Sequence, residues 1–278
     1  MINFLKSLYF FLFFLVLNNG VAQESPPVAT ELCQAENTVF APGEKLVYTI
    51  YYNWKFIWLA AGYVVFTVQE NDNHYLIKAV GKTYPSYNWI FKVDDYFYSF
   101  VDKNTLLPVR AKRDINEDGY IIHNDISFDQ ENKIAVSKLK INDKEERIIK
   151  KSFDACMYDI LSIMYRLRNI DKSTLKKGDT IPFSLMMDDE IYDLTLEYQG
   201  DFGAKKVRKL GKFDTYKISP SVIKGRVFAD NERMHIWVSN DKNNIPLIIE
   251  SPLAVGKIQV ILKKYEGVKY PLKTAGKH

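Results

Sequence analysis

The sequence lacks the common signatures of catalytic and metal-binding sites. Its 278 residues include four histidines that lie far apart and form no metal-ligand spacing, namely His74, His123, His235 and His278. It contains no glycine-rich phosphate-binding pattern and no G-x-S-x-G nucleophile pattern. We therefore expect a protein that is not an enzyme and that holds no cofactor and no metal ion.

A large surplus of one charge is also lacking. The chain has 38 Lys and Arg residues against 34 Asp and Glu residues, a formal net charge of +4, and the basic residues are scattered along it. A nucleic-acid-binding protein would carry a basic patch or stripe. The sequence therefore predicts no nucleic-acid partner.

Long apolar runs are confined to the N-terminus. Leu8–Leu17 follows the basic residue Lys6, and the small residues Gly20 and Ala22 stand where a signal peptidase would cut. The run is too short for a comfortable membrane span. We predict that residues 1–22 are a secretory signal peptide. The mature chain is then exported, periplasmic or otherwise extracytoplasmic, and soluble without a transmembrane anchor.

Cysteine is scarce, with Cys33 and Cys156 as the two examples. In an oxidising compartment they could form a disulfide. Alternatively both are free, because Cys156 falls in the apolar arc of a predicted helix and Cys33 lies in a leader, residues 23–38, that we expect to be flexible. No histidine or asparagine can be placed beside Cys156, so a catalytic role is not favoured.

One amphipathic helix is predicted, at Ser152–Ile170, with Ser152 as its N-cap. Its apolar residues fall within about half of the circumference, and they are Phe153, Cys156, Met157, Ile160, Leu161, Ile163, Met164 and Leu167. Tyr158, Ser162 and Tyr165 occupy the opposite face. Such a face is typical of a helix that a curved sheet covers on both sides, or of a partly exposed helix with two amphipathic tyrosines.

Arg168 is unusual because it falls inside the apolar arc of this helix. A buried guanidinium needs a carboxylate or several carbonyl groups, since an uncompensated buried charge costs several kcal/mol. Alternatively its stem could snorkel from the helix end into water. Both interpretations are favoured over a ligand-binding arginine.

The rest of the chain predicts about thirteen short strands joined by tight turns, with no strand–helix alternation. We expect a mainly β fold, an antiparallel meander that curls into an open or closed barrel-like sheet around the helix. In more detail, we predict a connection at 54–60, one strand at 62–69 that is covered on both faces, and a bulge after Val136. We also predict separate strands at 191–199 and 203–209 and a further strand at 224–229. The halves 39–151 and 176–268, joined by the helix, form one domain at 39–268, and 269–278 is a tail expected to fray.

Aromatic residues are the main candidates for a binding site. Pro85 and Asn88 predict a loop at Thr83–Phe91, where Tyr84, Tyr87 and Trp89 would be exposed. The alternative is that the aromatics build the core and rim of a large β fold. With these three residues, Tyr158, Tyr165 and Arg168 complete the set of candidate ligand contacts. The acidic run Asp188-Asp189-Glu190 is interpreted as a turn rather than as a calcium or glycosidase site.

Four segments, in order, resemble an exported bacterial family known as domain of unknown function 3108. They are Phe40–Tyr51 with Ala61-Gly62 behind it, Asp95–Arg113, Asp159–Arg168 and Ile236–Gly256, in which Asn240 intervenes before Asp241 of the family's W-x-S-D pattern. The resemblance implies an exported envelope protein with an antiparallel β fold, and it implies no activity.

Three functions remain open at this stage. The first is a non-enzymatic envelope protein that binds a small amphiphile or a glycan in a β-lined cleft over the helix. The second is a structural or assembly role with another envelope protein as partner. The third is a hydrolase acting on envelope polymers. An apolar ligand-sized cavity favours the first, an exposed aromatic patch without a cavity the second, and converging carboxylates in a cleft the third.

Overall fold

The structure is a computed structural model that describes residue 33 and residues 35–54, 57–221, 233–253 and 256–275. The predicted signal peptide, most of the predicted leader, the predicted strand at 224–229 and His278 lie outside these ranges.

Fifteen strands of the described residues form a single sheet, and one α-helix, α1 (Ile160–Arg168), accompanies them. The strands are β1 (Lys45–Trp54), β2 (Ile57–Glu70), β3 (His74–Thr83), β4 (Asp94–Asp102), β5 (Pro108–Glu117), β6 (Tyr120–Asp129), β7 (Ile134–Ile141), β8 (Arg147–Ser152), β9 (Met157–Tyr158), β10 (Thr180–Met187), β11 (Glu190–Val207), β12 (Gly211–Pro220), β13 (His235–Ser239), β14 (Pro246–Pro252) and β15 (Lys257–Glu266). The predicted mainly β architecture with a central helix is confirmed.

The sheet is a meander in which the first and the last strand of the chain are neighbours near the middle of the sheet. Strands β1 to β8 pair in sequence order, β9 to β15 do the same, and β1 pairs antiparallel with β15. All neighbours are antiparallel except β9 and β10. The two edges are therefore β8 and β9, which residues 153–156 join directly. Because these edges do not pair within the described residues, the sheet is open rather than a closed barrel.

The helix begins later than the sequence predicts. Ser152 ends β8 and is not the N-cap. Asp159 caps α1 instead, because its Oδ1 accepts from the backbone N of Leu161 at 2.8 Å and Ser162 Oγ accepts from the backbone N of Asp159 at 2.9 Å. Met157 and Tyr158, placed on the helix by the sequence, form β9. The side chain of Met157 fits the apolar 3.6-residue period and that of Tyr158 fits the opposite face, but both are buried in strand β9.

Other details of the predicted strands also differ. The pairing of β6 with β7 shows no register shift, so the predicted bulge after Val136 is wrong. The segments 191–199 and 203–209 are not separate strands, because β11 runs through both with register shifts near Asp201 and Gly203. Residues 57–60, predicted as a connection, belong to β2. The outer-facing residues of β2, such as Tyr63 and Val65, are half-buried rather than covered.

The core occupies the concave side of the sheet, and a second layer lies on part of its outer side. Helix α1 contacts β3, β4 and β10 from within. The end of the β11–β12 hairpin lies against β1, where the guanidinium of Arg208 is 3.8 Å from the centroid of the Tyr51 ring.

Residues 269–275 add to this layer. The backbone N of Ala275 donates to Lys212 O at 2.7 Å, and the backbone N of Tyr270 donates to Asn243 Oδ1 at 2.9 Å. The predicted fraying of the tail is therefore wrong for these residues.

Candidate functional site

Arg168, at the end of α1, forms a buried ion pair with Glu44. Its Nη1 and Nη2 donate to the two carboxylate oxygens at 2.7 and 2.8 Å, and its Nε donates to Asn243 O at 3.2 Å. Arg168 is 4 % exposed and Glu44 is 1 % exposed. The pair confirms the structural interpretation of Arg168, and the snorkelling interpretation is wrong.

Aromatic rings enclose this ion pair. The guanidinium carbon of Arg168 lies 4.9 Å from the centroid of the Tyr165 ring, and Tyr48 donates its hydroxyl to Pro246 O at 2.9 Å. Burial raises the pKa of Tyr165 and of Tyr48 well above the ordinary value of a phenol. Both hydroxyls therefore stay protonated, and the pair is the charged element of a dry part of the core.

A second polar contact holds the other end of the helix. Ser99 on β4 donates its hydroxyl to Asp159 Oδ2 at 2.5 Å, and both residues are buried. Burial raises the pKa of the Asp159 carboxyl, although the hydrogen bonds from Ser99, Ser162 and the helix backbone oppose the shift. The N-terminus of α1 is thus tied to the middle of β4.

These contacts involve residues from all four segments that resemble the exported family, because Asn243, which accepts from Arg168, lies in the fourth. Glu44 comes from the first segment, Ser99 from the second, and Asp159 and Arg168 from the third. Gly62 is needed where β2 approaches β3, because an added Cβ would lie 2.5 Å from Lys82 O. These residues therefore fasten the helix to the sheet and pack two of its strands together.

The candidates Tyr158, Tyr165 and Arg168 lie in the packed interior. Tyr158 is 0 % exposed and Tyr165 is 3 % exposed. A crevice beside the N-terminus of α1, lined by residues that include Phe97, Arg113 and Met187, has room for about one water molecule. At this place the described residues leave no space for an acyl chain or a sugar.

The candidates Tyr84, Tyr87 and Trp89 lie on the loop that connects β3 to β4, residues 84–93, as predicted. The loop is tied to β2, because the backbone N of Tyr84 donates to Ala61 O at 3.0 Å. Trp89 donates its indole N–H to Ser86 O at 2.9 Å, and 83 % of the residue is exposed. Tyr84 and Tyr87 are half-buried, so the predicted exposure is confirmed for Trp89 and is wrong for these two residues. A tryptophan is thus held in place with its ring in solvent.

Three further exposed apolar residues, which sequence reasoning missed, begin β2 at the same end of the sheet. Ile57 is 58 % exposed, Trp58 is 42 % exposed and Leu59 is 37 % exposed. Strand β2 begins where β3 ends, so these residues and the 84–93 loop project from one end. We call Ile57, Trp58, Leu59 and Trp89 the apolar rim. The signal was present in the sequence as a run of large apolar residues beside a hairpin tip.

Basic residues accompany the apolar rim. Lys92, at the end of the loop, and Lys257, opposite Asn53 on β1, are exposed. Lys82 is engaged locally, because its Nζ donates to Tyr96 OH at 2.7 Å and pairs with Asp94 at 2.9 Å, contacts that raise its pKa. Lys92 and Lys257 are therefore the cations that face solvent beside the rim in the described residues of β1, β15 and the loop.

Two carboxylic acids are buried beside the loop, and the sequence analysis missed both. Asp95 on β4 and Glu117 on β5 are 0 % exposed. Asp95 Oδ1 accepts from the backbone N of Asn116 at 3.0 Å, yet burial raises its pKa to about 7. Burial and the neighbouring Asp95 raise the pKa of Glu117 to about 9. Glu117 is thus held as a neutral acid near neutral pH.

The acidic run Asp188-Asp189-Glu190 is a turn between β10 and β11 with structural partners. Asp188 pairs with Arg113 at 2.9 Å, and Asp189 pairs with Arg147 of β8 at 2.9 Å. Because β8 is one edge of the sheet and β10 lies next to the other, the Arg147 pair links the two edges, whereas the Arg113 pair joins the turn to β5. No group of three or more His, Cys, Asp or Glu residues in the described ranges is placed to hold a metal ion.

The two cysteines form a disulfide between Cys33 and Cys156. The sequence left open whether the two cysteines are bonded or free, and the structure contains the bonded state. The assignment of Cys156 to the helix is wrong, because the residue precedes α1. The bond fastens the end of the leader to the segment between β8 and β9.

Comparison with known proteins identifies a family and a fold. A family described as "Protein of unknown function (DUF3108)" matches residues 47–263. The crystal structure of a β-barrel-like protein of domain of unknown function DUF1849 from Brucella abortus matches with a TM-score of 0.56 and 12 % identity, covering 83 % of this chain and 99 % of that chain. A protein with a YmcC-like fold from Bacteroides fragilis, 10 % identical, covers 83 % of this chain and 100 % of its own, with a TM-score of 0.33.

No curated protein matches the chain. No helix among the described residues is long and apolar enough to cross a membrane.

Proposed function

The chain belongs to the DUF3108 family of proteins of unknown function, and from its geometry we propose an exported, non-catalytic envelope protein that docks on a lipid bilayer surface through the apolar rim. The observation that carries the proposal is the clustering of Ile57, Trp58, Leu59 and Trp89 at one end of the sheet. A group of large apolar side chains left in solvent marks an interaction surface.

The chemistry of the rim favours a lipid surface as the occupant. Tryptophan suits the boundary between headgroups and acyl chains, because its ring is apolar and its N–H is polar. Lys92 and Lys257 lie beside the rim. Cations at this position are attracted to anionic headgroups, at about 1 kcal/mol each. Apolar insertion with flanking lysines is the pattern of an interfacial contact.

The interior supports a ligand-binding cleft and a hydrolase less well. The crevice beside α1 is too small for the amphiphile or glycan that the sequence analysis placed there. Asp95 and Glu117 do converge, which would favour a hydrolase, but both are 0 % exposed. A polymer substrate needs a cleft that reaches its catalytic acids.

Co-sedimentation with vesicles tests the proposal. The exported protein is mixed with vesicles of phosphatidylcholine alone and of phosphatidylcholine with an equal part of phosphatidylglycerol. We expect binding to both, with stronger and salt-sensitive binding to the anionic vesicles. The double substitution Trp58→Ala and Trp89→Ala removes two inserted rings, and because a large apolar side chain contributes about 1.5–3 kcal/mol on burial, binding should fall by at least about tenfold.

Phe202→Ala is the matched control. Phe202 is an aromatic residue on β11 that is 50 % exposed and lies outside the rim, so its loss should leave vesicle binding unchanged. Absence of binding to either vesicle would overturn the proposal, and capture of a protein partner by the rim would then be the explanation to pursue. Equal losses for the rim variant and for Phe202→Ala would show nonspecific adhesion and would also contradict it.

A further inference from the structure

Glu117 is a buried acid without a counter-charge of its own. Neither of its carboxyl oxygens has a hydrogen-bond partner among the described residues. The nearest basic group, Arg113 on β5, already pairs with Asp188 at 2.9 Å. An ionised carboxylate in this position would be strongly unfavourable unless water reached it. The native arrangement therefore depends on the proton that Glu117 carries.

The same residue borders the loop that carries Trp89. Glu117 forms an isolated antiparallel bridge with Val93, the last residue of the loop. The backbone N of the next residue, Asp118, donates to Lys92 O at 2.7 Å, and the backbone N of Val93 donates to Thr83 Oγ1 at 3.1 Å. The first of these hydrogen bonds attaches the loop to the β5–β6 turn, and the second attaches it to the end of β3. Water can therefore reach Glu117 most directly by separating the loop from this turn.

We propose that Glu117 is a proton-dependent latch for the 84–93 loop: the protonated side chain keeps the loop docked beside β5, and its ionisation releases the loop and with it Trp89. The charged and titratable groups that face Glu117 are Asp95 on β4, Arg113 on β5 and Tyr120 directly opposite on β6, with Asp188 facing Arg113 from the β10–β11 turn. Asp95 adds repulsion once ionised, and Arg113 offsets part of it.

The direction of the effect follows from proton linkage. In the docked state the pKa of Glu117 is about 9, whereas a solvated glutamate has an ordinary pKa of 4.5. Between these values the released state binds fewer protons than the docked state, so a rise in pH favours release. The equilibrium constant for release should increase by up to about tenfold per pH unit over this window.

Hydrogen exchange measures the latch without any membrane. Protection factors, which correct for the intrinsic pH dependence of exchange, are followed for the amides of Val93 and Asp118. We expect them to fall with pH in the wild-type protein and to stay level in Glu117→Gln, which keeps the shape and the neutral charge of the protonated acid. Glu146→Gln, an exposed acid in the β7–β8 turn, is the matched control and should behave as wild type.

Level protection factors in the wild-type protein, or an equal pH dependence in Glu117→Gln, would overturn the latch. If Glu117→Gln does not fold, Asp95→Asn serves in its place. Removing the repulsion from Asp95 should lower the pKa of docked Glu117, so protection should fall less than in the wild-type protein and should level off at a lower pH. An unmoved profile would then count against the proposal.

The consequence for docking rests on the proposed function. Binding to the anionic vesicles should weaken as pH rises in the wild-type protein but not in Glu117→Gln. Failure of vesicle binding with a pH-dependent loop would overturn the proposed function alone. Vesicle binding with a pH-independent loop would overturn the latch alone.

Discussion

At the level of single residues, the fold contains a few buried ionisable groups, and the cost of removing them from water is offset in different ways. Arg168 is neutralised by Glu44 through two short hydrogen bonds, whereas Glu117 has no such partner in the described residues and keeps its proton. A buried ion pair contributes little net stability, but removal of one partner leaves the other uncompensated. The two residues should therefore respond in opposite ways to neutral substitutions.

Arg168→Met should destabilise the protein strongly. It leaves Glu44 buried without a counter-charge, at a cost of about 3–5 kcal/mol. Urea unfolding gives the free energy. The control is Arg110→Met, which removes an exposed pair with Asp125 and should cost about 1 kcal/mol or less. Similar losses for the two variants would show that the burial of Glu44 is unimportant.

Glu117→Gln should make stability less dependent on pH. Because the folded pKa of Glu117, about 9, lies above its ordinary value of 4.5, the folded state binds the extra proton. The free energy of unfolding therefore falls as pH rises between these values and levels off above them. The variant should lack this decline, so its advantage over wild type grows with pH. Parallel urea-unfolding profiles for the two proteins would contradict the assignment of a raised pKa.

At the scale of the element, α1 is a short helix held at both ends by the sheet. Its nine residues are too few for a helix that is stable alone in water, so capping and tertiary contacts must stabilise it. Asp159 serves twice, as the N-cap and as the acceptor for Ser99. Just before the helix, Cys156 joins the leader through the disulfide to Cys33.

Replacement of both cysteines by serine tests the contribution of this bond. The bond spans a sequence separation of 123 residues, and a loop of this size should contribute roughly 2–5 kcal/mol by restricting the unfolded chain. Thermal or urea unfolding of the double variant should show a loss of this order. Wild-type protein treated with a reductant should show the same loss, and an unchanged midpoint in both would contradict the expectation.

At the scale of the whole molecule, the sheet is held together at two seams. The β1–β15 pair joins the beginning and end of the chain by backbone hydrogen bonds. At the other seam the contacts are ion pairs between side chains. Arg147 of β8 pairs with Asp189, and Arg113 of β5 pairs with Asp188. The interior is packed at the helix, and the apolar rim lies at the opposite end of the strands from Glu44. The buried ion pair and the proposed docking surface thus lie at different ends of the strands.

The positions of most strands and turns, and the exposed loop with Trp89, were predictable from the sequence. They depend on local properties, namely alternation of apolar residues and the turn preferences of Pro, Gly, Asn and Asp. The start of α1 was not predictable, because a 3.6-residue apolar period continues upstream through residues that the sheet buries. Local pattern does not reveal whether a strand or a helix covers such residues.

Tertiary structure alone decided the partner of Arg168, the burial of Glu117 and the place of Trp58. Arg168 and Glu44 are 124 residues apart, and Glu117 lies in an alternating strand where an acid is ordinarily exposed. Each outcome depends on which strands the curled sheet brings together. The sequence by itself determined the elements, their order and their apolar faces, whereas the curvature of the sheet decided which charges are desolvated and which aromatic rings remain in water.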